Sequence, residues 1–143
     1  MGRVMTRVKL TNAVDEGELA RGLLRPEDVR WVEIEALVDT GATTLVLPAD
    51  VATKLGLVEL GRQRVRYANG HVGDVPWVGP VTVEILGREM HCDALVEAAG
   101  TTPLIGQIPL EALDLVVDPR TRDVTVNPAS PDMPMMDLLG ACC

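Results

Sequence analysis

The chain has 143 residues, 47% of them apolar, and a formal net charge of −8 at pH 7. This length suits one compact domain with a substantial core. The basic residues are scattered and form no stripe, which excludes a phosphate backbone as the main ligand, so we expect no nucleic-acid partner. Because no apolar run approaches the length of a membrane span and residues 1–10 contain no signal-peptide stretch, we expect a soluble, cytoplasmic protein without a membrane partner.

Short apolar runs separated by Gly, Pro and polar residues predict a β-rich domain. Strands are predicted over residues 3–10, 31–38, 45–47, 63–68, 71–78, 81–86, 90–96, 115–117 and 124–126. One short helix is predicted from Pro48 to about Leu55, because Pro favours the start of a helix and Gly56 lies just past its end. A second short helix is predicted over residues 109–113.

Two stretches of the sequence depart from this pattern. Residues 11–30 are polar and charged, with two glycines and a proline, and predict a long loop or an extended hairpin insertion. From residue 128 onwards the sequence is rich in Pro and Met, which is typical of a mobile tail. We therefore predict one domain over residues 1–127 and a flexible C-terminal tail over residues 128–143.

An Asn-Gly pair at residues 69–70 separates two strand-like runs. This pair is the strongest short signal for a β-hairpin, because both positions of the favoured two-residue turn require a positive φ. We therefore predict a hairpin over residues 65–75 with Asn69 and Gly70 at its tip.

An acidic residue, Asp39, directly follows the apolar run of the strand predicted over residues 31–38 and begins the motif Asp-Thr-Gly-Ala. An acid beside a buried run costs desolvation energy, so a specific role is indicated. The alternative is an Asp that caps an ordinary turn in which Gly41 supplies the positive φ. A second motif, Leu-Ile-Gly at residues 104–106, follows the predicted hairpin.

The order Asp-Thr-Gly-Ala, hairpin and Leu-Ile-Gly resembles the retroviral-type, or retropepsin-like, aspartic proteases, and in particular their small single-domain bacterial relatives. The resemblance covers about residues 30–127. It implies an all-β fold, in which one lobe per chain forms a closed antiparallel β-barrel with one or two short helices. It also implies an aspartic endopeptidase.

The resemblance assigns roles to individual residues. Asp39 matches the catalytic acid, and Thr40 matches the residue whose hydroxyl bonds across the dimer. The hairpin matches the flap that closes over a bound peptide, although packing of Tyr67 against Trp77 is an equally open alternative for that side chain. The implied loop-support residues are Thr40, Gly41, Leu104, Ile105 and Gly106, and the implied substrate-binding residues are Gly41, Ala42, Tyr67, Asn69 and Gly70.

Peptide hydrolysis without a metal requires a base that activates water and an acid that polarises the carbonyl group. Two neighbouring carboxylates supply both, because like charges at ~3 Å cannot both ionise and the pair holds one proton. The motif Asp-Thr/Ser-Gly occurs once, and it is not repeated at Asp74, Asp93, Asp114, Asp118 or Asp123. The second carboxylate must therefore be Asp39 of another copy. We predict a homodimer that cleaves peptide or protein substrates and needs no metal and no cofactor.

Two other functions stay open at this point. The same fold could serve as a catalytically silent dimerisation or peptide-binding module. The chain could also be an unrelated small β-barrel that binds a ligand, with Asp39 in an ordinary turn.

For the remaining chemically reactive side chains, a structural role is favoured over a functional one. Lone histidines and a lone thiol lack the clustered partners of a metal or nucleophile site, and these are His71, His91 and Cys92. Three alternating arginines favour a solvated hairpin face over contacts with acidic substrates, and these are Arg62, Arg64 and Arg66. At the N-terminal Met1-Gly2, a first strand is favoured over lipid attachment. At the C-terminal Cys142-Cys143, a frayed tail is favoured over a lipid or metal site.

Overall fold

A computed structural model describes residues 3–138. Its strands are β1 (Met5–Asn12), β2 (Trp31–Val38), β3 (Leu45–Pro48), β4 (Val58–Arg66), β5 (Val72–Ile85), β6 (Arg88–Glu97), β7 (Leu104–Ile105), β8 (Leu115–Asp118) and β9 (Asp123–Val126). Its helices are α1 (Ala13–Ala20), α2 (Ala49–Lys54) and α3 (Gln107–Ala112), with a 3₁₀ turn at Pro26–Asp28. The candidate lipid or metal signals Met1-Gly2 and Cys142-Cys143 lie outside the described residues.

Six strands form a hydrogen-bonded ring in the order β1-β2-β7-β3-β6-β5, which closes because β1 also pairs with β5. Strand β4 attaches to β5 as an edge strand, and β8 and β9 form a separate antiparallel pair. The core is aliphatic, and burial of each large side chain contributes about 1.5–3 kcal/mol. Its fully buried members include Leu10, Leu45, Leu47, Leu55, Ile85, Ile105 and Leu113.

The predicted all-β fold with a few short helices is confirmed, and the strand predicted over residues 31–38 is β2. Two pairings of the ring, β2 with β7 and β3 with β6, are parallel, so the ring is mixed rather than purely antiparallel. Strand β7 lies between β2 and β3, which run in opposite directions, and it must therefore be parallel to one of them. No helix within residues 3–138 is long and apolar enough to cross a membrane.

The loop or extended hairpin predicted over residues 11–30 is wrong in its first half, where α1 forms. Asn12 caps this helix, since its side-chain oxygen accepts the N–H of Asp15 at 3.0 Å and its amide donates to the Leu55 carbonyl at 2.8 Å. The buried Asp15 then accepts the Nε and Nη2 groups of Arg30, each at 2.9 Å. These partners lie far apart in the sequence, and a short polar helix with an internal glycine has little helical signal of its own.

The predicted hairpin forms from β4 and β5, but its turn differs from the predicted two-residue type. Only Gly70 of the Asn-Gly pair has a positive φ, of 84°. The N–H of Gly70 donates to the Tyr67 carbonyl at 2.9 Å, and the N–H of Tyr67 donates to the His71 carbonyl at 2.8 Å. The connection is therefore a three-residue loop that ends in a left-handed glycine. Asn69 stabilises it by accepting the His71 N–H at 2.9 Å.

The C-terminal segment is partly attached to the domain. Residues 128–138, within the predicted flexible tail, have no regular secondary structure, but Ser130 is buried. The buried guanidinium of Arg88 donates to backbone carbonyls that include those of Asp114 and Ser130. The Asp114 carboxylate accepts the hydroxyl of Ser130 and the N–H of Met135. These contacts reach as far as Met135. The flexibility of the tail beyond that residue stays a prediction.

This attachment predicts a specific sensitivity to acid. Hydrogen bonds from Ser130, Asn127 and the Met135 N–H lower the pKa of Asp114 from 3.8 to about 2. A carboxyl group whose pKa is lower in the folded than in the unfolded state stabilises the fold at pH values above its unfolded-state pKa. This stabilisation is lost as the pH falls through the folded-state pKa. We expect Asp114→Asn to remove part of the stability loss between about pH 4 and pH 2, measured by urea unfolding. Identical pH profiles for the two proteins would contradict this expectation.

Candidate active site

The Asp39 loop leaves the ring at the end of β2 and is held by hydrogen bonds to β7 and within the loop itself. The N–H of Asp39 donates to the Ile105 carbonyl at 3.0 Å, and the N–H of Ala42 donates to the Asp39 carbonyl at 3.1 Å. The N–H of Gly41 donates to Oδ1 of Asp39 at 2.9 Å. Within the described residues no hydrogen bond reaches Oδ2 of this half-buried carboxylate. One carboxylate oxygen is thus fixed by the loop, and the other is available for chemistry.

The Leu-Ile-Gly motif packs against this loop. Strand β7 is inserted between β2 and β3, with Ile105 paired to both. A Cβ at Gly106 would lie 2.7 Å from the Ala42 carbonyl oxygen and 2.7 Å from the Thr44 backbone nitrogen. The next N–H, of Gln107, donates to the Ala42 carbonyl at 2.8 Å. Only glycine permits this close approach of two backbone segments.

A cleft of about 530 Å³ runs beside the loop. Residues 41–44 form one wall, and residues 63–67 of the β4–β5 hairpin form the other. Its apolar lining comes from Val46, Trp77, Leu95 and Ile108. A groove of this size between a rigid loop and a hairpin can take an extended peptide segment, because backbone groups on both walls can pair with it.

Asp39 itself does not line this cleft in the single chain. With Thr40 it borders a separate depression of about 540 Å³, which Arg3, Val4 and Val117 also line. Thr40 is exposed, and Asp39 is half-buried. The acid therefore lies at an open margin of the domain, where another molecule can approach it.

The residues that were predicted to bind substrate occupy two kinds of position. Gly41, Ala42 and Tyr67 line the cleft. Asn69 and Gly70 do not line it in the single chain, and they shape the tip of the hairpin instead. Their contact with substrate stays a prediction.

Tyr67 contacts His71 and Glu97. The phenol ring stacks on the ring of His71, with 6.0 Å between the ring centroids. The hydroxyl donates to Oε1 of Glu97 at 2.7 Å. Trp77 donates its indole N–H to Asp93 at 3.0 Å. Tyr67 and Trp77 both line the cleft, and packing of one against the other stays a prediction.

Several cleft residues carry no signal in the sequence. Glu97, Leu95 and Val46 belong to β6 and β3, whose parallel pairing brings together segments about fifty positions apart. No local pattern predicts such a pairing, because each strand is an ordinary apolar run. Only the order of strands in the ring places their side chains beside the Asp39 loop.

The lone thiol and histidines remain outside this site. Burial raises the pKa of Cys92 to about 12, so its thiol stays protonated at neutral pH and is a poor nucleophile. Within residues 3–138 no group of three His, Cys, Asp or Glu side chains is placed to hold a metal ion.

A ring of strands that holds an Asp-Thr-Gly loop against a Leu-Ile-Gly segment, with a hairpin beside the loop, defines an aspartyl-protease domain of the retropepsin type. Residues 29–112 match the family described as gag-polyprotein putative aspartyl protease, and this match spans more than half of the 143 residues. The chain belongs to this family. No curated protein matches its sequence. Membership in the family indicates a peptidase, and therefore a hydrolase.

Proposed function

We propose that the protein is a homodimeric aspartic endopeptidase in which Asp39 of each of two copies forms a catalytic dyad. One observation carries this proposal: Asp39 is held in a braced loop at the open margin of the domain, with one carboxylate oxygen free of hydrogen bonds within the described residues. The chain has one Asp-Thr-Gly motif, and a dyad requires two. A symmetric dimer supplies the second acid by placing identical surfaces against each other.

The dyad would work through unequal protonation of two identical groups. Two carboxylates a few ångströms apart share one proton, because both cannot be charged at that distance. The charged member removes a proton from water, and the protonated member donates a hydrogen bond to the substrate carbonyl. The pKa values of such a pair belong to the pair as a whole and not to either residue.

The hairpin would act as a flap over the bound peptide. Its residues 63–67 already form one wall of the cleft opposite residues 41–44. An extended substrate between these walls can form strand-like hydrogen bonds to both, and closure excludes water from the reaction. Thr40 and Gly41 are both exposed beside Asp39, which is consistent with contacts to the second copy.

Dilution tests the requirement for two copies. We expect the turnover per chain to fall as the total protein concentration drops below the dissociation constant of the dimer, because a single chain has no dyad. Turnover of a fluorogenic peptide library and light scattering should report the same transition. A constant turnover per chain across a range in which light scattering shows only monomers would contradict the proposal.

A further inference from the structure

The β4–β5 hairpin extends beyond the ring. The last pair between β5 and β6 on this side joins Trp77 to Leu95, and from there to the tip the hairpin pairs only with itself. A two-stranded hairpin without further support is only marginally stable in water. The position of its outer half over the cleft therefore depends on whatever side-chain contacts fasten it.

One side-chain hydrogen bond fastens the tip to the ring. The hydroxyl of Tyr67, next to the turn, donates to Glu97 at the end of β6, 30 positions further along the chain. Within the described residues, no other side chain of residues 66–72 hydrogen-bonds to a residue outside the hairpin. This hydrogen bond from a hydroxyl to a carboxylate is 2.7 Å long, so it is charge-assisted and has a normal length.

The phenol ring is held in place on the hairpin itself. It stacks on His71 across the turn, and its edge lies 3.6 Å from the position that a Cβ at Gly73 would occupy. This is an ordinary van der Waals distance, so the ring packs over Gly73. The hairpin thus presents the hydroxyl towards Glu97, and both partners of the bond line the cleft.

We propose that Glu97 is a positioning residue that holds the hairpin over the substrate cleft through its hydrogen bond with Tyr67. Neither residue takes part in the chemistry. The bond preorganises the cleft, so that a peptide need not order the hairpin when it binds. The kinetic consequence rests on the proposed peptidase function, whereas the contact and its effect on the hairpin do not.

The single tyrosine of the chain allows a direct test of the contact that needs no catalysis. The hydrogen bond to Glu97 raises the pKa of Tyr67, and the nearby negative charge acts in the same direction. We expect Glu97→Gln to shift the ultraviolet titration of the phenol to lower pH, while Glu89→Gln at the opposite end of β6 leaves it unchanged. An unchanged titration in Glu97→Gln would overturn the proposal.

Hydrogen exchange tests the effect on the hairpin. Tyr67→Phe keeps the ring and its stacking on His71 but removes the hydroxyl, and Glu97→Ala removes the acceptor. We expect faster amide exchange over residues 62–76 in both variants, with no change in β1 or β2. Exchange as slow as in the wild type in both variants would overturn the proposal.

Peptide kinetics complete the test. We expect each single variant to raise KM by about three- to tenfold with little change in kcat, because an exposed hydrogen bond contributes modestly to binding. The double variant should be no worse than either single one, since both remove the same bond. Additive losses, or a lower kcat at unchanged KM, would overturn the positioning role. A wild-type protein that cleaves no peptide would instead refute the peptidase function, and the titration and exchange results would still decide the contact.

Discussion

We expect the variant Asp39→Asn to lose peptide cleavage by about 10²–10⁴-fold or more, because the proposed dimer would then lack both groups that move protons. The fold should persist, since the amide oxygen of Asn can still accept the Gly41 N–H that Oδ1 of Asp39 accepts at 2.9 Å. The measurement is turnover of a mixed peptide library between about pH 4 and pH 7, where a dyad can hold one proton. Circular dichroism and light scattering should show an unchanged fold and assembly.

The control for this variant is Asp123→Asn, which makes the same chemical change at an exposed position of β9. Turnover by this control should equal that of the wild type. Undiminished turnover in Asp39→Asn would discard the dyad. Tight peptide binding without any cleavage by the wild type would instead favour the silent peptide-binding module.

Mixed dimers separate a shared dyad from a site within one chain. When a fixed amount of wild type exchanges subunits with excess Asp39→Asn, each mixed dimer contains only one carboxylate of the pair. Turnover should therefore fall well below that of the same wild-type protein alone. Turnover that stays constant on mixing, while light scattering confirms exchange-competent dimers, would place a complete site in each chain.

The second large effect concerns stability. Gly106→Ala should lower the free energy of unfolding by about 3 kcal/mol, because its Cβ would overlap the backbone of Ala42 and Thr44, which cannot move without disrupting the Asp39 loop. Urea unfolding followed by circular dichroism measures this loss. Peptide turnover should fall with it, since the displaced loop carries the acid.

The matched control is Gly17→Ala. This glycine lies within α1, and a Cβ there meets no atom within 4 Å. Because alanine has the higher helix propensity, we expect this variant to gain about 0.5–1 kcal/mol. A Gly106→Ala variant as stable as the wild type would show that the Asp39 loop tolerates displacement and that the brace is not required.

The sequence predicted those elements whose signal is local. Strand β2 ends where the prediction placed it, because an apolar run is broken by an acid and a glycine. Helix α2 was predicted within one residue at each end from Pro48 and Gly56. The two motifs of the candidate site also carry a local signal, since in each an apolar run is followed within a few residues by a glycine.

The sequence did not predict those features that depend on distant partners. Helix α1 is stabilised by contacts from Asn12 and Asp15 to Leu55 and Arg30, and none of these pairs is visible in a local pattern. Glu97 gave no signal because its role follows from the meeting of β6 with the hairpin tip. The turn at residues 67–71 was assigned the commonest type for Asn-Gly, whereas the actual strand register leaves room for one more residue.

The late position of β7 in the chain has a consequence for biosynthesis. Residues emerge from the ribosome in order, and the two residues that brace the Asp39 loop come more than sixty positions after it. Until they emerge, β2 and β3 have no strand between them, so the Asp39 loop is not held in place by β7. A nascent chain that ends before β7 therefore lacks the strand whose Ile105 carbonyl accepts the Asp39 N–H in the folded domain.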